Sequence, residues 1–299
     1  MSPNPQHGTP AGDATIAIRQ LARQSGADVQ DLQTLYVLEA LLARIAVSNH
    51  RDDFVLKGGV LLAAFAARRP TKDIDLQATG LANDADELTA RVRQIAALAL
   101  ADGVLFDTKN IKASVIRDDD EYAGIRVRLV GALGHAKLTI GIDVNFGDPI
   151  WPPPSLIELP RVVELGQPPV TLLGYPLTMV LAEKIVTAID RGEANTRWRD
   201  FADVYTLVRA RPVDAAEFAA SLTVVAEYRH VELRPLLPFL APMPQRAQEK
   251  WLAWRRRTGR EHELPERFAD VLESLARFAD AVLAGSAVGR WNSQTGQWQ

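Results

Sequence analysis

The chain has 299 residues, 47% of them hydrophobic, enough for a sizeable core in one large domain or two ordinary ones. A net charge of −3 does not mark a nucleic-acid binder by bulk charge, though an average can hide a local basic surface. The absence of cysteine excludes disulfides and thiol catalysis, and no apolar run approaches the ~18 residues of a membrane span, so a soluble cytoplasmic protein is expected.

Residues 1–12 are turn formers without periodicity and read as disordered. Asp28 is placed to open a helix reaching about Asn49, with Leu32, Leu35, Leu38, Leu42 and Ile45 at helical spacing. The segment from Phe54 predicts a short buried strand, a turn at Gly58-Gly59, an apolar helix, and a second strand carrying Asp73 and Asp75. A polar-capped helix follows over roughly 84–100, then consecutive strands over 103–146. In the last of these, Leu138, Ile140, Ile142, Val144 and Phe146 alternate with smaller or polar residues, which puts Asp143 on the face away from the core. Asp148–Ser155 is a proline-rich connector, and a short strand is expected at Arg161–Leu165. Beyond Pro176 the pattern is mostly helical, at about 177–191, 197–210, 213–221, 243–257 and 265–284. The expected division is a disordered 1–12, an α/β core over 13–165, a helical domain over 166–285, and a loosely ordered tail over 286–299. A mixed sheet followed by helices gives an α+β class.

Strand side chains alternate faces, so Asp73 and Asp75 project together while Ile74 and Leu76 point into the core. Glycines let a backbone approach phosphates and carboxylates hold divalent ions, so this pairing suits a nucleoside triphosphate with its metals. Each acid alone reads equally well as a solvated strand face. Three together, with Asp143, would raise one another's pKa unless a cation were present, and two divalent ions ~3.5–4 Å apart would remove that cost. The five histidines (His7, His50, His135, His230, His262) have no metal-ligand spacing. Lys184 sits on a helix beside Val180, Leu181 and Ala188, either as a snorkelling lysine or as a point charge aimed at a triphosphate. Asp200 and Asp203 follow beside Arg197 and Arg199; for Asp203 a cap or ion pair is the preferred reading.

The set Leu56-Lys-Gly-Gly59, Thr71-x-Asp73-Ile-Asp75-Leu, Ile142-Asp143-Val, Glu183-Lys184 and Arg199-Asp200-x-x-Asp203 resembles the AbiEii/AbiGii nucleotidyltransferase toxins, including the MenT-type enzymes, within the DNA polymerase β-like superfamily. The resemblance covers roughly residues 50–210. It implies a polymerase β-like mixed sheet flanked by helices, with a helical C-terminal half contributing Lys184 and Asp200. It makes Asp73 and Asp75 the metal pair and Asp143 the third acidic position. Lys184 becomes the phosphate-contacting lysine and Asp200 the acid of the final basic-Asp motif. Lys57, Gly58, Gly59 and Thr71 join Lys184 around the nucleotide. Two positions depart from the pattern: Val60 stands where Ser or Thr is common, so the turn must work through backbone amides, and Arg199 replaces a frequent Lys. The resemblance further implies Mg²⁺ (or Mn²⁺), an NTP as substrate, nucleotidyl transfer to the 3′ end of tRNA that blocks aminoacylation, and a cognate antitoxin. Asp143 and Asp200 both stand as groups that could activate the acceptor hydroxyl.

Two basic surfaces are candidates for RNA. One is Arg255, Arg256 and Arg257 beside Trp251 and Trp254, which reads at least as well as an amphipathic helix with buried tryptophans. The other is Arg126 and Arg128 on one strand face, with Lys109, Lys112 and Arg117 nearby in sequence. The competing functions are nucleotidyl transfer to a protein or small molecule, and a non-catalytic nucleotide-binding module. A metal-dependent nuclease would share the carboxylates but would need neither the Gly-Gly turn nor Lys184.

Overall fold

The computed structural model describes residues 6–116 and 124–299, and the chain divides into two compact units. Among the described residues the first comprises the chain up to Ala64, Arg68–Asp148 and Pro154–Tyr175. The second comprises Phe65–Ala67, Pro149–Pro153 and Pro176–Gln299. Arg117, assigned from sequence to a basic surface, and residues 1–5 of the expected disordered N-terminus lie outside the described residues.

In the first unit the helices are α1 (Pro10–Ser25), α2 (Val29–Val47), α3 (Gly58–Leu61) and α4 (Ala85–Ala96). The strands are β1 (Phe54–Lys57), β2 (Asp73–Ala78), β3 (Val104–Phe106), β4 (Lys112–Ile116), β5 (Gly124–Leu133), β6 (Ala136–Phe146), β7 (Ser155–Leu159) and β8 (Val170–Gly174). They form one mixed sheet in the order β3-β5-β6-β2-β1-β8-β7, with β4 also pairing β5. The β2–β6 and β1–β8 pairs are parallel and the rest antiparallel. Register is set by the apolar face. Leu56, Leu76, Val144 and Ile125 are successive cross-strand partners, all essentially excluded from solvent, and Ile74, Ile142 and Val127 form the next row. Leu41 and Ile45 of α2 and Val92 and Ile95 of α4 close on Phe54, Leu76 and Ile142, leaving about 10 Å³ between them, scarcely room for one water.

Asp28 caps α2 by accepting from the Asp31 amide, as its position predicts. Two stretches of this unit differ from expectation. Pro10–Gly12, expected to be disordered, begin α1: proline suits the first helical turn, Thr9 accepts from the Gly12 amide at 3.1 Å, and Ala14, Ile18 and Ala22 are buried. The strand expected at Arg161–Leu165 is a loop between β7 and β8 that buries Val162 and Val163. There the Val162 amide donates to Glu39 of α2 at 2.7 Å instead of to a neighbouring strand.

A second buried polar knot also ties α2 to the loop before β3. Arg44 donates to Asp102 (2.6 Å) and to the carbonyls of Ala40, Leu98 and Val104. The Tyr36 hydroxyl donates to the Asp102 carbonyl at 2.8 Å; burial, with Asp102 nearby, pushes its pKa up to about 12.

The second unit contains α5 (Leu177–Arg191), α6 (Trp198–Ala210), α7 (Ala215–Tyr228), α8 (Leu236–Phe239), α9 (Met243–Arg257) and α10 (Phe268–Leu283). Strands β9 (Val213–Asp214), β10 (Arg290–Asn292) and β11 (Gln297–Trp298) form a small antiparallel sheet. The tail is therefore paired. Trp291 and Trp298 pack on Phe278 at 5.1 and 5.3 Å, and their indole N–H groups donate to the Val208 and Phe278 carbonyls. The proline connector also contributes to this unit: the Trp151 carbonyl accepts from Ser221 at 2.7 Å. No described helix is long and apolar enough to cross a membrane.

Arg44→Met would strand the buried Asp102 carboxylate and three carbonyls. Denaturant unfolding is expected to show a loss of about 3–5 kcal/mol; a loss below about 1 kcal/mol would show that the knot contributes little.

Candidate active site

The polar face of the first unit's sheet carries the candidate chemistry, in rows set by strand register. Lys57 on β1 partners Asp75 on β2, Asp75 partners Asp143 on β6, and Asp143 partners Arg126 on β5. One row therefore runs plus, minus, minus, plus. Asp73, two residues earlier on β2, lies opposite Gly141.

The glycines are required by the carboxylates. Gly58 has φ +65°, and a Cβ there would lie 1.9 Å from Asp75 Oδ2. A Cβ on Gly141 would lie 2.2 Å from Asp73 Oδ1. Asp73 thus rests over bare backbone on the neighbouring strand β6, and Asp75 over the glycine that opens α3. The Gly59 amide points at Asp75 Oδ2 across 3.4 Å, and Val60 is buried, so the turn offers amides and no hydroxyl. The Thr71 hydroxyl donates to the Asp73 carbonyl at 3.3 Å, bracing the entry to β2.

Burial raises the Asp75 pKa, and the Asp143 charge raises it further; Lys57, the Gly59 amide and Arg69 pull it back only in part. Asp143 is bound from the other side: Arg126 Nε donates to Oδ1 at 2.6 Å and Nη2 to Oδ2 at 2.5 Å. That bidentate bond is the main reason the Arg126 pKa is raised, so the guanidinium stays charged. Lys57 is buried and donates to Asp148 at 2.8 Å, with its ammonium 5.4 Å from the centre of the Tyr175 ring. Among the described residues no three His, Cys, Asp or Glu side chains converge to hold a metal. Asp73 and Asp75, acceptor-only and on one face, suit a divalent cation completed by substrate oxygens; Asp143, with both oxygens on Arg126, does not suit one as it stands.

In the second unit, Lys184 on α5 donates to Asp200 at 2.7 Å and Asp203 at 2.9 Å, both on α6. Burial, the largest influence, lowers the lysine pKa, but Asp203 and Asp200 together outweigh it and the net shift is upward. Asp203 is thus an ion-pairing residue, while Arg197 reaches Asp200 at 3.5 Å and Arg199 is exposed.

Two RNA assignments change. Arg255 is buried and donates to the Glu261 and Leu264 carbonyls at 2.7 and 2.9 Å, tying down the chain after α9, while Arg256 and Arg257 are exposed. Trp251 and Trp254 are buried and stack on each other at 5.3 Å, so the amphipathic reading of α9 holds. Arg126 is held by Asp143. Arg128 remains exposed opposite Lys112, in the row that contains Asp73 and Gly141, and Lys109 is exposed in the turn before β4. Sequence reasoning missed Arg69, Gln77 and Asp148. With its amide oriented to satisfy its neighbours, Gln77 donates to Asp148 at 3.1 Å; a polar residue two beyond Asp75 on the same strand face was the available signal.

The profile of the family described as "Nucleotidyl transferase AbiEii toxin, Type IV TA system" matches residues 40–274. The chain belongs to the AbiEii nucleotidyltransferase toxin family. This family is one of type IV toxin–antitoxin systems, which implies a nucleotidyltransferase toxin with an antitoxin partner. The fold is similar to that of JHP933 from Helicobacter pylori, with TM-score 0.50 and 14% identity over 86% of this chain and 93% of that one. A provisionally named nucleotidyltransferase from H. pylori aligns with TM-score 0.49 and 14% identity over 87% of this chain and 97% of that one. No curated protein matches the chain.

Because its folded pKa is raised, Asp75 contributes stability that is full below its unfolded pKa of about 3.8 and is lost as pH rises through the folded value. Asp75→Asn is therefore expected to melt a few degrees above the native chain at pH 7 in chelator, with the gap closing toward pH 4. Equal or lower melting at pH 7 would contradict this.

Proposed function

We propose that this toxin transfers a nucleoside monophosphate from an NTP to the 3′ end of tRNA, blocking aminoacylation and translation, in the cytoplasm. The observation that carries the reading is the Asp73/Asp75 pair, each acid seated over a glycine, beside a turn whose amide faces the same site. The terminal 3′-hydroxyl attacks the α-phosphate, its proton passes to a base, the new phosphodiester forms, and pyrophosphate leaves.

Asp73 and Asp75 would hold Mg²⁺, or Mn²⁺, which would neutralise charge at the reacting phosphate and its leaving group. Gly58 makes room for the Asp75 carboxylate, and the Gly59 amide, which faces the same site, would donate to the triphosphate. Thr71 fixes the start of β2. Lys57, neutralised by Asp148, acts on Asp75 rather than as a mobile phosphate ligand. Lys184 meets triphosphate and pyrophosphate charge, and its two carboxylates keep it protonated at working pH. Asp143 and Asp200 are the two groups that could accept the hydroxyl proton; Asp143 is bonded to Arg126 through both oxygens, and Asp200 is paired with Lys184 and Arg197. Arg128, Lys112 and Lys109 supply backbone contacts to the RNA, with Arg256 and Arg257 as a further exposed pair. The antitoxin is a protein encoded beside the toxin.

Purified protein with Mg²⁺, total tRNA and each labelled NTP in turn is expected to extend a tRNA band. Asp73→Ala is expected to reduce extension by at least about 100-fold, the scale of several kcal/mol of lost charge stabilisation. Label on protein or a small molecule would shift the reading to a different acceptor. Folded protein that leaves tRNA unchanged with every NTP would sink it.

A further inference from the structure

Three carboxylates on one sheet face would ordinarily be read as ligands for two ions. The row geometry divides them. Asp73 and Asp75 share β2 and lean over Gly141 and Gly58, whereas both Asp143 oxygens are taken by the fork of Arg126, its direct cross-strand partner. The next residue along that row is Ser114 on β4, and neither β4 nor β5 carries an Asp or Glu. Asp73 and Asp75 also act on Arg126, so its charge sits within the acidic cluster that it balances. An ion entering at Asp143 would therefore have to break two short charge-assisted bonds and sit beside a displaced positive charge.

We propose that Arg126 is the built-in counter-cation of Asp143, so that the site takes one divalent ion, at Asp73 and Asp75, in place of two. Arg126 is a positioning residue: it offsets part of the repulsion between Asp143 and Asp75 and keeps the third acid out of the coordination shell. Its planar fork suits this task, since it matches a carboxylate through both oxygens, which an ammonium cannot do. This inference rests on the nucleotidyltransferase reading and deepens it, because that reading holds with one ion or with two.

The test counts Mn²⁺ on the intact chain by electron paramagnetic resonance, without nucleotide. The native chain is expected to bind one Mn²⁺, and Arg126→Met to bind a second. The double variant Arg126→Met/Asp143→Asn is expected to return to one, which places the second ion at Asp143. Asp143→Asn alone is expected to keep one Mn²⁺, bound more weakly because Arg126 loses its partner, and it serves as the deciding variant if Arg126→Met does not fold. Two ions on the native chain, one ion on folded Arg126→Met, or no ion on folded Asp143→Asn would overturn the inference. No Mn²⁺ on the native chain, or native binding retained in Asp73→Asn, would instead remove the metal pair on which the parent reading stands and the inference with it.

Discussion

The site depends on one electrostatic constraint. Parallel pairing of β2 with β6 sets Asp75 directly opposite Asp143, two like charges on adjacent strands of a partly buried surface. The register cannot relax to separate them. The opposite face packs Ile74, Leu76, Ile142 and Val144 under α2 and α4, and a slip of one residue would turn all four outward. The repulsion is met laterally instead, with Lys57 on the β1 side and Arg126 on the β5 side. Burial still leaves Asp75 reluctant to ionise, so the fold holds this carboxylate in an unfavourable state.

The second unit balances its charges in the opposite sense. Lys184 is one cation between two carboxylates, and Asp203, almost fully buried, anchors the arrangement on α6. A buried lysine alone would tend to lose its proton; with two acids in hydrogen-bond contact it keeps it. The local geometry explains how this lysine can carry charge from within a helical core.

Much of this was legible in sequence wherever the signal was periodic and local. Alternation placed Asp73, Asp75 and Asp143 on the polar face, Asp28 announced α2, and α5, α6 and α9 follow their apolar spacing closely. What could not be read depended on which strand lies beside which. The Lys57–Asp148 bond joins residues 91 positions apart, which no local pattern encodes, and the Arg126–Asp143 bond depends on the exact register of the β5–β6 hairpin. The three arginines after Trp254 looked equivalent as a string, yet helical phase turned Arg255 inward to cap a loop. The tail misled for a related reason: its two tryptophans gain a partner only once α10 presents Phe278.

Gly141 carries a wider consequence. The Asp73 carboxylate occupies the space that any side chain at position 141 would need, so its placement depends on this glycine. Inventories of acidic motifs would pass over it, since it brings no functional group. A gene copy with every aspartate intact and alanine at this one position would read as a competent toxin while its first carboxylate was pushed aside. Judging which members of such a family are still armed therefore means reading the empty positions beside the acids as well as the acids.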